Sequence, residues 1–199
     1  MKTIKIMLAA VTLVITQWAF AQSSPIPMLE NAANKITNTL KENRSQLKSN
    51  HKIIHQAVSQ YLLPIVDVTG MSRSVLGRQA WSKATSAEKQ AFTKEFTKLV
   101  IRTYSSPLAE YSDEKVKFLP LRGPLNGRFI QVNSVVVRGN GPNIPLSYSL
   151  VSKKGQWKIY DLSVEGVSLL QSFRSQFGQV LQTSNMQELI SKMKKAKAS

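Results

Sequence analysis

The hydrophobic period of this chain changes twice, and that change confines the fold more than any single residue does. From Met28 the apolar residues Leu29, Ala32, Ala33, Ile36, Leu40 and Leu47 recur at helical spacing, which places them on one face of a helix. A second helix is expected over residues 51–63, carried by Ile53, Ile54, Ala57, Val58, Tyr61 and Leu62. Pro64 marks its end or a kink, because proline has no amide to donate. A short segment, residues 67–77, leads to Trp81. Thr85 with Glu88 reads as a capping box. The helix it opens is expected to reach about Tyr111, with Phe92, Phe96, Leu99, Val100, Tyr104 and Leu108 along one face.

Beyond that point the period falls to that of a strand. Residues 115–121, 128–138, 144–152 and 156–164 read as four strands, separated by turns at Gly123, Asn126-Gly127, Gly139-Asn140-Gly141 and Lys154-Gly155. Ile144, Leu146, Tyr148 and Leu150 alternate with Pro145, Ser147 and Ser149, so one face is buried and the other wet. The links are too short for helical crossovers, which makes the sheet antiparallel. After Gly166 the helical period returns with Val167, Leu170, Phe173, Phe177, Val180 and Leu181. Asn185 with Glu188 caps a last short helix that runs into Lys192, Lys194, Lys195 and Lys197. The expected fold is α+β: a four-stranded antiparallel curved sheet packed with helices around an apolar cavity.

The first residues carry an address. Lys2 and Lys5 precede an almost unbroken apolar stretch over residues 6–20, and Ala19-Phe20-Ala21 has the small-x-small form of a cleavage site. That stretch falls short of the roughly twenty residues that span a bilayer. Residues 1–21 are therefore expected to be a cleaved signal peptide. Residues 22–199 are expected to form one domain with a basic C-terminal tail, and not an integral membrane protein. A hydrophobic content of 42% is enough for a packed core. The absence of cysteine excludes thiolate nucleophiles, thiolate metal sites and a lipid-modified N-terminal cysteine. The 27 basic residues against 11 acidic ones give a net charge of +16. In an exported protein such an excess points to anionic lipid or acidic surfaces, and away from nucleic acid.

Most routes to catalysis are missing. His51 and His55 share a helical spacing but lack a third ligand, so no metal is expected. No serine sits in a nucleophile elbow, and no glycine-rich loop is built to cradle phosphate. Asp161 and Glu165 could pair as the carboxylates of a glycoside-hydrolase-like site, or hold the turn from strand to helix by hydrogen bonds.

Two runs carry a resemblance. One is Val75-Leu76-Gly77-Arg78-Gln79-Ala80-Trp81, leading into the Phe92, Phe96, Leu99 and Tyr104 helix. The other is Trp157, Tyr160-Asp161, then Val164-Glu165-Gly166-Val167-Ser168, followed by Phe173, Arg174 and Phe177. Together they resemble the MlaC, or toluene-tolerance, family of periplasmic phospholipid-binding proteins, with matching order and spacing over nearly all of residues 22–199. The resemblance implies a soluble carrier in the periplasm of a Gram-negative bacterium. Such a carrier shuttles phospholipid between the inner and outer membranes and maintains outer-membrane lipid asymmetry. Its implied partners are an inner-membrane ABC-type transporter complex and an outer-membrane lipoprotein–porin complex. Phospholipid is its cargo, and no cofactor and no catalysis are implied.

Elementary energetics agree with such a role. A two-chain phospholipid has roughly thirty methylenes, each worth about 0.8 kcal/mol when shielded from water. A carrier needs an apolar cavity and no catalytic group. Val167 and Leu170 are expected at the start of the helix after Gly166, facing the sheet, and Val167 is the first choice because it follows the most specific run. Leu76, Trp81, Phe96, Val100 and Tyr104 are the lining candidates from the earlier helices. Val132, Leu146, Tyr148 and Ile159 are those from the strands, and each of these side chains could equally be plain core. Arg78 and Arg174 are the candidates for a headgroup phosphate. Two alternatives stay open: an exported binding protein for another apolar ligand, and a periplasmic enzyme using Asp161 and Glu165.

Overall fold

The computed structural model describes residues 23–196 except 111, 112, 124, 126 and 140. The expected signal peptide, Tyr111 and Lys197 lie outside the described residues. Helix α1 (Ile26–Glu42) and helix α2 (Lys52–Ala57) come first, joined through a 3-10 turn at Arg44–Gln46. Leu47 therefore stands outside α1, yet it is fully buried. The second helix does not run evenly to Leu63. It widens into a π turn at Val58–Leu62 and tightens into a 3-10 turn at Leu63–Ile65 that contains Pro64. Proline accounts for the tightening, since it removes one amide from the helical ladder.

Helix α3 (Val68–Lys83) replaces the irregular segment expected before Trp81. Asp67 caps it by accepting the Gly70 amide at 3.1 Å. Gly77, at φ 75° and ψ 165°, breaks the helix in its middle. That break interrupts the apolar spacing, which is why the period did not declare a helix. Helix α4 (Ser86–Ala109) opens on the expected capping box: Glu88 N–H donates to the Thr85 hydroxyl at 3.2 Å, and Thr85 N–H donates to the Glu88 carboxylate at 2.8 Å.

The sheet is an antiparallel meander of β1 (Lys115–Phe118), β2 (Phe129–Val137), β3 (Ile144–Lys153), β4 (Gln156–Val164) and β5 (Val167–Ser168). The fifth strand is a correction. Glu165 and Gly166 both have positive φ, 50° and 82°, and such a pair makes a two-residue hairpin. Val167 is thus paired with Val164 and 60% exposed, instead of opening the next helix and facing the sheet. Helix α5 (Leu169–Thr183) starts only after Ser168, whose hydroxyl accepts the Gln171 amide at 3.1 Å. Helix α6 (Met186–Lys195) is capped by Asn185 toward the Glu188 amide at 3.0 Å.

One irregularity in β4 sets its packing. Leu150 faces Ile159 and Ser149 faces Asp161, so Tyr160 is an extra residue in the strand. The bulge changes parity, and it keeps Trp157, Ile159, Leu162 and Val164 on one face of the sheet. Tyr160 swings away to pack on the helical side and edge-on to Phe129, ring centres 5.6 Å apart.

Candidate functional site

The interior is not one core. A helical cluster joins Met71, Val75 and Leu76 of α3 and Phe92, Phe96 and Leu99 of α4 to Phe173 and Phe177 of α5 and Leu189 and Met193 of α6. A sheet cluster joins Val132, Tyr148, Leu150, Trp157 and Ile159 to Leu29 of α1. A third cluster holds Leu40, Leu47, Ile54, Val58 and Ala109. A domain of this size ordinarily has one contiguous core. Here Val66 packs against both the helical and the sheet clusters, and Leu62 against both the sheet cluster and the third. The boundary between the clusters, here called the seam, is edged by the half-buried side chains of Val66 and Leu62.

Asp161 ties strand to helix. One carboxylate oxygen accepts the Leu162 amide at 2.8 Å and the Leu170 amide at 3.0 Å. The other accepts the Ser168 hydroxyl at 2.6 Å. Leu162 belongs to the sheet cluster and Leu170 borders the helical one, so through the Leu170 amide the carboxylate ties β4 to the first turn of α5. Glu165 stands exposed in the adjacent turn, its amide donating to the Pro145 carbonyl at 2.9 Å. Of the two acidic roles left open by the sequence, Asp161 performs the one of holding the strand-to-helix turn.

The other expected site residues fall into separate groups. Leu76 and Phe96 are buried in the helical cluster, and Trp81, Val100, Tyr104 and Leu170 are half-buried against it. Val132, Tyr148 and Ile159 are buried in the sheet cluster with Leu146 half-buried beside them. Trp81 also walls a surface cleft of about 510 Å³ together with Leu63, Ile101 and a rim of Lys89, Lys94 and Lys98. The Lys89 ammonium stands 5.7 Å from the Trp81 ring. Arg78 and Arg174 are both exposed, and the Arg174 guanidinium reaches within 3.9 Å of where a β-carbon on Gly77 would stand. Arg174 thus stands at the α3–α5 contact beside Gly77. Sequence reasoning passed over Leu62 and Val66 as seam residues, because they lie in or next to irregular turns.

Electrostatics within this interior follow burial. It pushes the Tyr148 phenol above its ordinary range, and does the same to Tyr104. Burial, then the neighbouring His51 and Arg102, hold the His55 imidazole below its ordinary value of 6.5. Arg102 donates to the Met193 carbonyl at 2.6 Å and so pins α6 to α4. Among the described residues no group of three or more His, Asp or Glu side chains is placed to hold a metal ion. None of the described helices is long and apolar enough to cross a membrane.

Comparison with known proteins bears on what such a seam does. The family model described as MlaC protein matches residues 30–195. The toluene tolerance protein Ttg2D of Pseudomonas putida is 28% identical over 162 residues, 81% of this chain and 75% of that protein. The intermembrane phospholipid transport system binding protein MlaC of Haemophilus influenzae is 29% identical over 186 residues, 92% of this chain and 86% of its own length. A phospholipid-binding protein from Ralstonia solanacearum, solved in complex with a phospholipid, superposes with a TM-score of 0.77 at 25% identity. It covers 88% of this chain and 96% of that one.

Proposed function

The chain belongs to the MlaC family, and on that premise we propose that it is a periplasmic phospholipid carrier that holds acyl chains along the seam between its sheet and helices. The observation that carries the reading is the seam itself. A side chain such as Val66, packed against both clusters, loses its contacts on one side when the clusters part, and a hydrocarbon chain lying between them would restore those contacts. The likeness to a protein solved with a phospholipid supports the same ligand class. On this reading the protein moves lipid between the inner and outer membranes. It would load or unload at an inner-membrane ABC-type complex and an outer-membrane lipoprotein–porin complex, and perform no chemical step on its cargo.

Val167 is the residue that tests it. The side chain is 60% exposed in β5, paired with Val164 of β4, between Asp161 and Leu170 in the chain. A glutamate there costs no core packing, yet it sets a charge where acyl chains would pass. Val167→Glu is expected to fold with an unchanged unfolding temperature and to purify without phospholipid. A folded Val167→Glu protein with a normal lipid load would remove Val167 from the site.

A further inference from the structure

The two ends of the sheet differ in charge: one is basic and the other balanced. One end collects the β1–β2 connection, the β3–β4 hairpin and the start of β4, and it bears Arg122, Arg128, Lys153, Lys154 and Lys158. From the sheet and its connections no carboxylate joins them. Asp67, the α3 cap, is the acid that reaches this end, bridged to Lys153 at 2.5 Å. At the other end Asp113, Glu114 and Glu165 stand with Lys115 and Arg138. There the charges are internally balanced: Asp113 pairs with Arg44 at 2.9 Å and Glu114 with Arg138 at 4.0 Å.

The basic end is also shaped. Arg128, Lys153, Lys154 and Lys158 wall a cleft of about 510 Å³, and Lys158 is fixed to the Pro64 carbonyl at 2.8 Å. Lys154 and Gly155 take positive φ, 50° and 77°, the geometry of a tight hairpin, and Lys153 and Lys154 are both exposed there. Of the large hydrophobic side chains left exposed among the described residues, Phe129 opens β2 at this end at 57%, and Leu119, at 42%, lies on the same connection but level with the middle of β2, its amide donating to the Asn133 carbonyl at 2.8 Å. Phe129 lies under the Arg128 guanidinium, 5.5 Å from its ring centre.

We propose that this end of the sheet is a docking face for a bilayer surface rich in anionic phospholipid. Clustered cations beside an exposed aromatic side chain match a surface of negative headgroups over an apolar interior. An acidic protein partner would use the cations but give the exposed Phe129 nothing to enter. The proposal deepens the carrier reading and rests on it for its purpose: a lipid carrier that settles on a leaflet shortens the path its cargo travels through water.

The test is sedimentation of the purified chain with vesicles of phosphatidylcholine, alone and with added phosphatidylglycerol. Binding is expected only to the anionic vesicles. A lysine or arginine near such a surface contributes about fivefold, so Arg128→Gln with Lys154→Gln is expected to weaken partitioning by about 25-fold. Removing the same charge at Lys115 and Lys117 is expected to leave it nearly unchanged. Phe129→Ser is expected to reduce the binding that survives high salt. Equal losses from the two pairs, or no binding of the unaltered chain to anionic vesicles, would overturn the docking face. Co-purified phospholipid, measured on the same samples, reports separately on the carrier reading. A double variant that keeps its lipid but leaves the vesicles supports the docking face.

Discussion

The helical and sheet clusters are built in different ways, the helical one from more buried residues than the sheet one. In the helical cluster four phenylalanines interlock. Phe92 stacks on Phe96 at 5.7 Å, and Phe173 and Phe177 meet Phe96 edge-on at 5.3 and 6.0 Å. All four are at most 6% exposed. In the sheet cluster the fully buried residues, Val132, Leu150 and Ile159, are bordered by Ile130, Leu146 and Leu162, which are only half-buried. Interlocked rings resist separation, because every atom has a partner at contact distance. Half-buried side chains have partners on one side and can exchange them. The helical cluster, with its interlocked rings, is therefore expected to be the costlier of the two to disrupt.

The difference can be broken first at Phe92, which has no exposed surface. Phe92→Ala is expected to cost about 3–5 kcal/mol in urea unfolding, the range for emptying an aromatic site in a packed core. Leu162→Ala, at the half-buried border of the sheet cluster, is expected to cost about 1 kcal/mol because partial burial scales the lost transfer energy. Equal costs would erase the distinction. Asp161→Ala removes the acceptor of three donors at the strand-to-helix turn and is expected to cost about 2–3 kcal/mol. A cost near zero would mean that β4 and α5 are held together elsewhere.

A smaller loss is expected from Thr85→Ala, which removes the α4 cap and should cost about 1 kcal/mol by the same unfolding measurement. It sharpens the comparison because α4 serves both the helical cluster and the third. The smallest effect is a pH dependence from His55. Its folded value lies below 6.5, so the unfolded chain binds the proton more readily. Above about pH 6.5 the imidazole is neutral in both states and contributes no slope. As pH falls below that value, stability is expected to decline, and His55→Gln should flatten the decline. A variant with an unchanged slope would assign the acid sensitivity to other groups.

Much of this architecture was legible in the residues. The period change at Lys115 marked where the sheet begins, and Thr85 with Glu88 marked the start of α4, because alternation and capping are local properties. The α3 helix was hidden since Gly77 splits its apolar pattern. The β5 strand was hidden since a Glu165-Gly166 hairpin resembles a helix approach when only apolar spacing is read. The seam was the least legible feature. Val66 and Leu62 look like ordinary core residues in sequence, and only their position between two clusters distinguishes them. Asp161 could be read as a candidate acid or a turn residue, and the three donors around it show it in the turn.

The central claim is that the seam holds phospholipid, and native mass spectrometry of the chain purified from a Gram-negative periplasm tests it most directly. The account predicts a stoichiometric mass increment that lipid extraction identifies as phospholipid. A bare protein that also takes up no lipid from vesicles would contradict it.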